Sequence, residues 1–98
     1  MSNKHNETKL KDALKAMLDY YKLKGKYQQS RLRQLWPELM GAAVAKYTTE
    51  IRIHKKTLFV TISSAALRQE LSMGCDKIKD IMNEGLGEEY LEKVVIRG

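Results

Sequence analysis

The chain has 98 residues, 43% of them hydrophobic and 31% charged, the balance of one soluble globular domain with a modest core. Its start, MSNKHNETKLKD, lacks the apolar stretch of a secretory signal, no apolar run approaches the ~20 residues of a membrane span, and its single Cys excludes an internal disulfide. The net charge of +6 sits entirely in residues 1–33, which hold nine Lys and Arg against three acids, whereas residues 34–98 balance nine against nine. Such asymmetry points to an anionic partner, of which nucleic acid is the commonest.

Residues 1–7 are expected to form a flexible N-terminus, and residues 8–98 a single domain. Residues 8–23 read as an amphipathic helix, with Leu10, Leu14, Met17, Leu18 and Tyr21 on one side and Lys11, Asp12, Lys15 and Asp19 on the other. Gly25 is expected to end it. A second helical region covers about 29–46. Proline suits the first turn of a helix and turns the preceding residue away from helical angles. The sequence therefore predicts a bend at Trp36 and a new helix from Pro37. The run Gly41-Ala42-Ala43-Val44-Ala45 removes bulk and lets that helix approach a sheet. Trp36 has two readings, a hinge anchor beneath the helix or an exposed contact for a partner protein.

TEIRIHKKTLFVTIS (residues 49–63) reads as a hairpin. Ile51 and Ile53 alternate with Arg52 and His54, and Leu58, Val60 and Ile62 with Phe59 and Thr61. Lys55 and Lys56 fall at the turn without the Asn-Gly chemistry of a tight loop, which predicts a longer or a strained connection. Residues 64–86 are expected to form one long helix, N-capped by Ser63 or Ser64, continuous through Gly74, and stopped by Gly85 and Gly87. YLEKVVIR (residues 90–97) is a final strand with Val94 and Ile96 inward. The order α-α-β-β-α-β gives an α+β fold, with helices packed on a small three-stranded sheet.

Catalytic chemistry is not indicated. There is no Gly-rich phosphate loop and no His or Cys pair at metal spacing, so no metal, cofactor or catalytic residue is expected. His5 and His54 read as solvated side chains, and Cys75, in the apolar phase of its helix, as a buried inert thiol. The basic segment is the stronger signal. Lys22, Lys24, Lys26, Arg31 and Arg33 cluster without an acid among Tyr20, Tyr21 and Tyr27, a composition that neutralises phosphates and stacks on unpaired bases, although Tyr21, on the apolar face of its helix, reads rather as core. The competing reading is a solvated face that only keeps the protein soluble. Arg68 opens a helix where the dipole disfavours a cation, which suggests a partner contact or a local ion pair with Glu70 or Asp76.

The segments WPELMGAAVAKYT, TLFVTISSAALRQELSMGCDKI, IMNEGLG and VVIR together resemble the DciA family of bacterial proteins over about residues 30–97. SSAALRQELS is the most specific of them. The resemblance implies a domain like a type II KH fold. It also implies a non-enzymatic role in DNA replication, binding the replicative helicase DnaB and single-stranded or forked DNA to assist helicase loading. No Gly-x-x-Gly occurs, so the usual KH grip on a nucleic-acid backbone is missing and the basic N-terminal third would have to supply the contacts. The candidate nucleic-acid contacts are thus Lys22, Lys24, Lys26, Arg31 and Arg33 with the turn pair Lys55 and Lys56. Trp36 and Arg68 are the candidate partner contacts. No membrane, cofactor or small-molecule substrate is expected, and the location would be cytoplasmic and nucleoid-associated. The rival readings are a KH-like RNA-binding module and a purely protein–protein interaction domain.

Overall fold

The computed structural model describes residues 2–98; Met1, the first residue of the expected flexible N-terminus, lies outside them. The chain opens with a single helix, α1 (Ser2–Met40), of 39 residues. Then come a short helix α2 (Ala42–Lys46), strands β1 (Thr48–His54) and β2 (Thr57–Ile62), helices α3 (Ala65–Ser72) and α4 (Cys75–Leu86), and strand β3 (Lys93–Arg97). The order α-α-β-β-α-α-β is the expected α+β class with one helix more, and it is compatible with a KH-like arrangement.

The first correction concerns α1, which runs through both Gly25 and Pro37. Gly costs about 1 kcal/mol in a helix interior and Pro about 3. Those costs are offset by what the same helix buries, since Leu32 and Trp36 are at most 1% exposed. Pro37 lacks the N–H that would reach the Arg33 carbonyl, and only three residues of the helix follow it. The helix ends instead at Gly41, whose φ of 93° is open to glycine and strained for other residues. The small-residue run then forms α2, on which Ala42 and Ala43 are exposed rather than pressed on a sheet.

The hairpin follows its alternation. Leu58, Val60 and Ile62 are fully buried, and β1 pairs antiparallel with β2 from His54↔Thr57 back to Thr48↔Ile62. Its turn is the tight two-residue form, with Lys55 at φ 49° and Lys56 at φ 62°. Two lysines thus hold left-handed angles that normally belong to Asn and Gly. Of the two expectations for this loop, the strained one describes it.

The second correction divides the long helix. Met73 and Gly74 donate to Glu70 and Leu71, tightening the end of α3, and Gly74 leaves helical angles before α4 begins. An unbroken apolar phase hid the break. Ser64 is the N-cap of α3, its hydroxyl accepting from the Leu67 amide at 3.3 Å. Gly85 lies inside α4, and Gly87, at φ 78°, ends it. Cys75 is half-buried, with its thiol toward the Leu71 carbonyl.

The α3–α4 crossover returns the chain to pair β3 in parallel with β2, giving the sheet order β1-β2-β3. Leu32 and Trp36 from α1, Ile78, Met82 and Leu86 from α4, and Leu58, Val60, Ile62 and Val94 from the sheet make one core. Asn83 closes the approach to β3. Its buried amide donates to the Leu91 carbonyl at 3.0 Å and accepts from the Leu91 N–H at 2.8 Å. The molecule is elongated, 65 × 23 × 20 Å, because residues 5–23 of α1 are exposed and most of them extend beyond the core.

Candidate nucleic-acid interface

Continuity of α1 sorts its cations by direction. Each residue turns about 100° around the axis, so Lys22, Lys26 and Arg33, spaced four and seven apart, share a face. Opposite that face stands the hairpin turn. Together they border a groove of ≈ 630 Å³ whose lining includes Lys22, Lys26 and Arg33 from the helix and Lys55 and Lys56 from the turn. No Asp or Glu lines it. Five cations without a counter-charge raise the local potential toward anions, most strongly at low salt.

The groove keeps its shape through a cross-link. The Gln29 side-chain oxygen accepts the Ile53 N–H at 3.0 Å, tying α1 to the edge strand β1 next to the turn. Tyr90 forms part of the wall, its hydroxyl at ordinary contact distance, 3.6 Å, from where a Cβ at Gly25 would stand. Burial pushes the Tyr90 phenol up from its ordinary value. Tyr21, half-exposed at the rim, offers an aromatic face to a base. The sequence reading missed Tyr21 as a groove residue, and with it Gln29, His54 and Tyr90. The helical repeat alone would have found the first two, once the helix was known to pass Gly25.

Two of the seven candidate cations stand elsewhere. Lys24 pairs with Glu88 at 2.8 Å. That hydrogen bond raises the lysine pKa and lowers the carboxyl pKa from their ordinary values. Arg31 donates to the Leu86 and Gly85 carbonyls at 3.0 and 3.2 Å. It therefore caps the C-terminal end of α4, where a cation is favoured. Tyr20 and Tyr27 flank a smaller cleft on the Lys24 side, away from the groove.

Neither candidate partner contact is a free surface group. Trp36 is 1% exposed, and its indole donates to the Thr48 hydroxyl at 2.9 Å, which in turn donates to the Val44 carbonyl at 2.8 Å. Of its two readings, the anchor is the one the geometry supports. Arg68 is half-buried and donates to the Ile62 carbonyl at 2.6 Å, rather than pairing with Glu70 or Asp76. It secures the end of β2 against the start of α3.

Among the described residues no group of three or more His, Cys, Asp or Glu is arranged to hold a metal ion, and no helix is long and apolar enough to cross a membrane. Comparison with curated proteins and with solved structures gave no match. The family described as "Dna[CI] antecedent, DciA" does match, over residues 9–96. With that match running through α1, the hairpin and the α3–α4–β3 crossover, the chain belongs to the DciA family.

Proposed function

We propose that the protein is a non-enzymatic adaptor of DNA replication that binds the replicative helicase DnaB and single-stranded or forked DNA and assists helicase loading. Membership of a family associated with replication supports the setting. The observation that carries the DNA half is the groove, with five Lys and Arg converging from two elements and no acid. Phosphates bind there with the release of counterions, and Tyr21 stacks on an unpaired base. The role places the protein in the cytoplasm, with the nucleoid.

A titration of labelled single-stranded DNA at three salt concentrations tests this half. Single strands give a slope near −0.7 per neutralised phosphate, so five contacts predict log affinity falling against log salt at about −3.5. A flat response ends the DNA reading. For the helicase half, purified DnaB retained by the protein after nuclease treatment is the expected result. Loss of retention on nuclease would reduce the pair to two proteins sharing one strand. Preference for RNA over DNA of the same sequence would favour the KH-like RNA-binding alternative.

A further inference from the structure

The exposed half of α1 repeats the face that its other half buries. Residues 18 apart stand about five full turns apart and point the same way. On that spacing Leu14 matches Leu32, Met17 matches Leu35, Leu18 matches Trp36 and Tyr21 matches Leu39. Of the later set, Leu32 and Trp36 lie in the core and Leu35 and Leu39 beside Gly85 of α4, with Leu39 still 41% exposed. In the earlier set, Leu14, Met17, Leu18 and Tyr21 are 46–56% exposed, and Leu10 extends the row at 60%. Packing orders a helix of this length more than propensity does, and among the described residues no such packing covers this half.

Charge and shape select what covers it. Lys11, Lys15 and Lys22 border the stripe on one side, while Asp12 and Asp19 project from the far side of the helix. A second copy laid antiparallel would set that lysine flank against its own equivalent, a like-charge contact. A bilayer is excluded by shape. The globular part stands on the same side of α1 as the stripe, because Leu32 and Trp36, in phase with Leu14 and Leu18, lie in its core, and it holds a flat surface away.

We infer that residues 10–21 of α1 dock an amphipathic helix of another protein, its apolar stripe bordered by Asp or Glu. The partner helix lies on the arm as α4 lies on Leu35 and Leu39. The surface meets the groove at Tyr21 and Lys22, but its test rests on Lys11, Leu14, Lys15 and Met17, none of which lines the groove, and uses no DNA.

The probe is a pair of 21-residue helical peptides with the same leucine stripe, one flanked by Glu and the other by Lys, titrated calorimetrically into the full chain. The Glu peptide is expected to bind and the Lys peptide to bind at least about tenfold more weakly. Leu14→Glu with Met17→Glu should weaken the Glu peptide by roughly thirtyfold or more, while the thermal melt of the core holds. Lys11→Glu with Lys15→Glu should reverse the preference between the peptides. Equal binding of both peptides, or unchanged binding by the Leu14/Met17 variant, overturns the proposal. So does dimerisation in sedimentation, or flotation with anionic phosphatidylserine vesicles, if the Leu14/Met17 variant abolishes it.

Discussion

Lys24 and Lys26 are two residues apart in sequence and belong to different environments. Lys26 lines the acid-free groove, whereas Lys24 is held by Glu88. Lys26→Gln is expected to flatten the salt slope of single-strand binding by about 0.7, and Lys24→Gln to leave it unchanged. Salt titrations of the two single variants check this, and equal effects would mean that strand contacts extend beyond the groove. Asn83 carries a different kind of weight. It satisfies both backbone groups of the buried Leu91, so Asn83→Ala strands a donor and an acceptor away from water. A denaturant melt should show a loss of about 2–3 kcal/mol. The sequence marks this asparagine only as part of a family-like segment, because its partner lies eight residues away across the end of a helix.

The hairpin turn combines strain with exposure. Lys55 and Lys56 both hold left-handed angles, at a cost of about 1–2 kcal/mol for each. Lys55→Asn with Lys56→Gly should raise stability by roughly 1–2 kcal/mol, since that pair suits the turn type, and should lift the melting midpoint. The same change removes two groove cations and should flatten the salt slope by about 1.4. Calorimetry and the salt titration on one variant read both effects. The strands were legible because alternation has a period of two and one face is buried, as Leu58, Val60 and Ile62 show. Helix ends were not legible. Gly25 and Pro37 look like breaks when judged by local cost, and tertiary burial of Leu32 and Trp36 outweighs that cost. Gly74 looked harmless because the apolar phase runs through it, yet the helix divides there. The candidate site inherited the first error. A cluster of five cations was visible, but only an unbroken helix separates Lys22, Lys26 and Arg33 from Lys24 and Arg31.

The long axis of 65 Å is a property of α1 more than of the domain. Residues 28–40 run along the core, while residues 5–23 are exposed. Amide exchange should divide the helix accordingly. Amides before Lys22 are expected to exchange orders of magnitude faster than those of Leu32 and Trp36, which open only with the whole domain. Uniform protection along α1 in the isolated protein would show a cover on the arm that a single chain does not provide.

The parallel pairing of β2 with β3 bears on how this chain reaches its native state. The hairpin closes across two residues, whereas Thr57↔Lys93 joins only after the whole α3–α4 crossover has been gathered in. Closing the longer loop costs more entropy before any contact repays it. The hairpin with α1 therefore belongs to the folding nucleus, and β3 docks afterwards. Val94→Ala, at a buried position of that last strand, should accelerate unfolding while leaving the refolding rate nearly unchanged, a φ-value near zero. A stopped-flow chevron would show it. A refolding limb slowed in proportion to the lost stability would place β3 in the nucleus instead.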